Sequence, residues 1–165
     1  MKHLIIAPLF LGLLLISACA DHNKVAENNT ALIKRFVTSV EELNYDLMES
    51  FYADDYLGIG PSHGDSINKS DAVANWKYNA ENLYEKIEYK LSRNIAVTID
   101  SGEGKGDWVS NWAELDITYK NDGGHVTIYA NTLYKIENGL IVKSFTLYNE
   151  ADALRQLGYQ FIKAD

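Results

Sequence analysis

His63 can accept and return a proton near neutral pH, and two carboxylates, Asp54 and Asp55, precede it by nine and eight positions. A histidine paired with either aspartate would make a small acid–base dyad. The same residues have a plainer reading. His63 stands in a run punctuated by Gly58, Gly60, Pro61 and Gly64, where a histidine is ordinarily solvated. Adjacent carboxylates point apart, and Asp54-Asp55 reads as the turn that ends a helix. His3, His22, His63 and His125 show neither His-x-His nor His-x₃-His spacing, so no metal site is expected. Residues 100–107 (DSGEGKGD) are Gly-rich, but strand-like segments flank them on both sides. Without a following helix N-terminus they are no phosphate cradle, and their acids lack the calcium-loop pattern. No cofactor is expected.

The elements that must position these residues divide the chain in two. Leu32, Ile33, Phe36, Val37, Val40 and Leu43 share one face at helical spacing, with Asn29 or Thr30 as cap. Asn44 can cap a second short helix with an apolar face of Leu47, Met48, Phe51 and Tyr52. Residues 55–67 read as a short strand and a loop, and a third helix runs over 69–83. From 86 to 149 the period changes to two. Ile87, Tyr89, Leu91, Ile95, Val97 and Ile99 alternate with polar residues. Turns at 101–106, 121–124 and 137–139 separate further strands over 109–120, 125–136 and 140–148. Asn149 caps a last helical turn that Gly158 ends. Three helices followed by an antiparallel meander predict an α+β fold, one face of its strongly bent sheet covered by the helices.

The 165 residues are 47% hydrophobic and 23% charged, the composition of one globular domain. A formal net charge of −8 speaks against nucleic acid, because phosphate binding needs a basic face. The single cysteine, Cys19, excludes a disulfide framework. It follows a basic head (Lys2, His3) and an apolar run from Leu4 to Ile16, too short to span the ~30 Å hydrocarbon core but suited to a secretion signal. Ile16-Ser17-Ala18-Cys19 resembles the bacterial lipobox. That resemblance implies a signal over 1–18, lipid attachment at Cys19, and a membrane anchor, most simply on the periplasmic side of the outer membrane. Ala18-Cys19-Ala20 also fits an ordinary signal-peptidase site, which would release a soluble periplasmic or secreted protein. Residues 19–29 are polar and aperiodic and read as a flexible tether. The domain is expected over 30–160, with a tail over 161–165.

Several strings resemble the nuclear transport factor 2-like superfamily, which includes SnoaL-like polyketide cyclases and ketosteroid isomerase. They are Phe51-Tyr52-Ala53-Asp54-Asp55, Pro61 six residues on, Glu137-Asn138-Gly139-Leu140-Ile141-Val142, and Ala153-Leu154-Arg155-Gln156-Leu157-Gly158. The resemblance implies a cone-shaped, strongly bent antiparallel sheet under three helices, with a pocket between sheet and helices and dimerisation through the outer sheet face. It does not bring catalytic residues with it. The isomerase base position is Gly60, and its oxyanion-hole positions fall near Ile33 and Thr132. The cyclases' acidic and imidazole positions match Ser144-Phe145-Thr146 and Asn149, which supply no acid or base near pH 7.

In the register so implied, Ile128, Ala130, Thr132, Tyr134 and Ile136 face inward, as do Val142, Ser144, Thr146 and Tyr148. His125, Thr127, Tyr129, Asn131 and Leu133 face outward, toward solvent or a second copy. Tyr52, Trp76, Thr132, Tyr134, Ser144, Thr146 and Tyr148 are then the candidate lining of a pocket for a small, largely apolar ligand. The other reading is a filled core whose tyrosines bond internally. Three functions stay open: a ligand-binding envelope lipoprotein, an enzyme of the same fold using His63 with an aspartate, and a dimeric scaffold without a ligand.

Overall fold

The computed structural model describes residues 6–163, and side chains within residues 23–163. Helix α1 (Ile6–Glu41) is followed by α2 (Tyr45–Glu49), β1 (Tyr52–Ile59), β2 (Ser66–Asn68) and α3 (Lys69–Asn82). Four long strands come next: β3 (Tyr84–Ile99), β4 (Gly106–Tyr119), β5 (His125–Glu137) and β6 (Leu140–Tyr148). Helix α4 (Glu150–Gln156) closes the order. The strands form one curled six-stranded sheet in the order β2-β1-β6-β5-β4-β3. This is the expected α+β architecture, three helices ahead of the meander, with one correction. The sheet is mixed, because β1 runs parallel to β6 at the meander's free edge. A crossover of that kind leaves no local signal, whereas hairpins do.

Local chemistry sets most boundaries. The Asn44 side chain accepts the Leu47 N–H at 3.0 Å, Asn68 that of Asp71 at 2.9 Å, and Asn149 that of Asp152 at 3.1 Å. Each satisfies a donor that a helix start would leave orphaned. Asn29 and Thr30 cap nothing. The stretch 19–29, read as a tether, is helix continuous with the rest of α1. It holds no proline or glycine, and Ala20, Lys24, Ala26 and Glu27 are strong helix formers. Residues 1–5, with Lys2 and His3, lie outside the described residues, and no side chain is described at Cys19. Among the described residues, no helix is long and apolar enough to cross a membrane.

The core lies between α1 and the concave face of the sheet. Ile33 and Val40 are fully enclosed, and Phe36 packs edge-on against Phe51, Tyr52 and Tyr134. Burying an aliphatic or aromatic side chain of this size stabilises by about 1.5–3 kcal/mol.

Two strand faces depart from simple alternation. In β3 the register shifts between Lys90 and Arg93, where Leu91 takes left-handed geometry at φ 49. Beyond it Ala96 packs toward the core, while Ile95, Val97 and Ile99 are exposed. In β6 Ile136 pairs with Ile141 and Lys135 with Lys143, so Val142 is the extra residue of a bulge. Ile141, not Val142, is the buried side chain there.

Candidate functional site

Between α1, α3, α4 and the concave sheet face lies a cavity of about 340 Å³, within the range of small-molecule sites. Its deep end is enclosed by Phe36 and Val40 of α1, Tyr52 and Tyr56 of β1, and Tyr134 of β5. Its outer end is half-exposed and formed by Trp76, Tyr84, Tyr119 and Tyr148, with Leu154 of α4 and Leu157 just after it. All seven candidate lining residues (Tyr52, Trp76, Thr132, Tyr134, Ser144, Thr146 and Tyr148) border this space.

A polar band crosses the sheet beneath it. Asn94, Asn111, Thr132 and Thr146 are directly opposite one another on β3, β4, β5 and β6. The buried Asn111 amide donates to Ser92 Oγ at 2.9 Å and to Asn94 Oδ1 at 3.0 Å. The Thr132 and Thr146 hydroxyls bond at 3.2 Å, and Tyr56 Oη bonds Ser144 Oγ at 2.7 Å. Among the described residues no enclosed side-chain nitrogen or oxygen lacks a partner. Asn111 escaped the sequence reading, as did Tyr56, Tyr84 and Tyr119. Asn111 had a signal: it is the polar member of the otherwise apolar run Val109, Ala113, Leu115, Ile117.

Burial pushes the Tyr52 and Tyr134 hydroxyls well above the usual phenol range. Burial, followed by the nearby Tyr119 and Tyr148 hydroxyls, lifts Tyr84 to about 12. These phenols are neutral donors and π-faces near pH 7, not bases. Among the described lining residues, the ionisable groups besides tyrosine reduce to Glu150, exposed at the start of α4.

The proposed dyad is not assembled. Asp54 and Asp55 lie in β1 rather than in a helix-ending turn, because α2 stops at Glu49 and Tyr52 already pairs with Ile141. Both are exposed, and Asp54 is held by Lys69 at 2.9 Å. His63 sits exposed in the loop between β1 and β2. None of the three lines the cavity. Among the described residues no three His, Cys, Asp or Glu side chains gather as a metal would need. Trp112, on the outer face, stacks on Tyr129 at 6.1 Å. In the 100–107 turn, Trp108 Nε1 donates to the Gly104 carbonyl at 2.7 Å, and Thr98 donates to Asp107 at 2.5 Å.

No protein-family model matches the sequence, and no curated protein matches it. Solved structures do. A proposed SnoaL-like polyketide cyclase from Shewanella denitrificans superposes with a TM-score of 0.63 at 11% identity, over 79% of this chain and 96% of that one. A phenazine biosynthesis-related protein from Pseudomonas aeruginosa gives 0.62 at 12% identity, over 88% and 95%. An LEH-like epoxide hydrolase from M. tuberculosis gives 0.59 at 10%, over 80% and 90%. Identities this low show a shared fold and nothing of activity. The domain has the nuclear transport factor 2-like fold of the SnoaL-like proteins.

Proposed function

We propose that the chain is an envelope lipoprotein, anchored through Cys19, whose domain binds a small, largely apolar ligand in the cavity between sheet and helices. The observation that carries the binding reading is the cavity itself: about 340 Å³, walled by aromatic rings and crossed by a band of amides and hydroxyls. Such a lining excludes water from an apolar body and orients it through a few hydrogen bonds. It places no group with a pKa near neutrality deep in the cavity, which favours binding over proton transfer. The lipobox-like run 16–19 supports the anchor.

The neutral fluorophore N-phenyl-1-naphthylamine is a direct probe. It should brighten on entering the wild-type cavity. Thr132→Trp fills the centre of the band and should abolish the signal while circular dichroism stays native. Undiminished uptake by a folded Thr132→Trp variant would place binding elsewhere.

We further propose that two copies associate through the outer sheet face. Ile95, Val97, Trp112, Tyr129 and Leu147 are all exposed there, contributed by the four adjacent long strands β3, β4, β5 and β6. Soluble monomers rarely leave a large contiguous apolar patch open.

A further inference from the structure

The rim of the cavity has a sign. Trp76, Tyr84, Tyr119 and Tyr148 surround it, and the Glu150 carboxylate stands beside them. Ring centroids are 6.4 Å apart for Trp76–Tyr84 and 5.6 Å for Tyr84–Tyr119. Burial, and after it the negative charge of Glu150 and the Tyr119 hydroxyl, raises the Tyr148 hydroxyl above the usual phenol range. The three phenols are therefore neutral at physiological pH, and an aromatic ring attracts a cation at its face. No Lys, Arg or His is among the described lining residues. The nearby Lys120 is engaged elsewhere: its Nζ donates to the Ala80 and Glu81 carbonyls at the end of α3, at 2.7 and 2.8 Å. A ligand carboxylate would meet Glu150 without a counter-charge, and a neutral group would gain nothing from it. An organic cation gains from the carboxylate and from the ring faces together.

We infer that the cavity selects ligands carrying an amine or quaternary ammonium head on an apolar body. The head sits at the rim against Trp76, Tyr84, Tyr119 and Tyr148, with Glu150 as counter-ion, and the body fills the deeper space. This rests on the ligand-binding reading above, and the test separates the two.

Isothermal titration calorimetry of the full chain compares benzoylcholine with its neutral isostere 3,3-dimethylbutyl benzoate and with 4-phenylbutyrate. The expected result is affinity at least about tenfold higher for the cation than for the isostere. The carboxylate should be weakest of the three. Glu150 is exposed, so Glu150→Gln leaves the fold intact, and it should narrow the gap between cation and isostere several-fold. Equal affinity for cation and isostere would overturn the selection for charge while leaving an apolar binding site in place. A preference untouched by Glu150→Gln, or tighter binding of 4-phenylbutyrate, would overturn it too. No heat from any of the three would remove both the selection and the ligand-binding reading beneath it.

Discussion

Gly60 shows how one residue limits what the site can host. It has φ +92, and a Cβ built there would lie 2.5 Å from the Thr146 carbonyl oxygen of β6. The position where the family resemblance puts a carboxylate base is thus closed to any side chain, not merely vacant of an acid. Gly64, four residues on, has φ +91 with nothing within 4 Å of its would-be Cβ. The two glycines separate backbone strain from steric conflict. Gly64→Ala should lose about 1 kcal/mol, the cost of a left-handed alanine. Gly60→Ala should lose at least about twice that, because Thr146 must also move away from its place in the polar band. Thermal denaturation of the two variants checks this. Equal losses would mean that β6 yields freely at Thr146.

At the scale of elements, alternation was legible wherever the ladder is regular. In the register that the family resemblance implies, β5 turns Thr132 and Tyr134 inward, and both line the cavity; Asn44 and Asn149 marked the starts of α2 and α4, whereas the Asn68 cap of α3 went unread. What escaped were the register shifts, since a one-residue slip moves every later side chain to the other face. Neither Leu91 nor Val142 is the glycine or proline that would announce a bulge, so Ile95, Val97 and Ile99 read as continuing one alternation with Ile87 and Tyr89 but lie exposed on the other face. The His63–aspartate pairing failed for a related reason. Nearness along the chain says nothing about which strand face or loop tip each residue occupies. The β3 bulge carries its own test. Leu91 is mostly exposed at φ 49, a conformation that costs an L-residue about 1–2 kcal/mol. Leu91→Gly removes that strain and adds about 0.5–1 kcal/mol of unfolded-state entropy. The net effect should be a gain of about 0.5–1 kcal/mol, read from a higher denaturant midpoint with unchanged slope. A loss would show that the Leu91 side chain, not the bulge backbone, stabilises the turn of the strand.

For the whole molecule, the concave and convex faces of one sheet divide the work. The concave face turns tyrosines and hydroxyls toward the cavity. The convex face exposes Ile95 (66%) and Tyr129 (63%), with Trp112 stacked on Tyr129 and held under Arg93 at 5.4 Å. Charge on this face is paired within the chain: Lys90 with Asp116, Lys86 with Glu88 and Lys135 with Glu137. A second copy related by a two-fold axis lying between the two sheets would set the same apolar centre of each copy against the other and cover both. That self-complementarity is what an isologous interface requires. Because each cavity opens on the opposite side of its sheet, pairing would leave both rims free for ligand. The wild-type chain should therefore sediment as a dimer at micromolar concentration. Trp112→Glu sets two carboxylates against each other near the axis and should give a monomer with an unchanged circular dichroism spectrum. A wild-type chain that stays monomeric, or a Trp112→Glu variant that still dimerises, would remove this face as the interface.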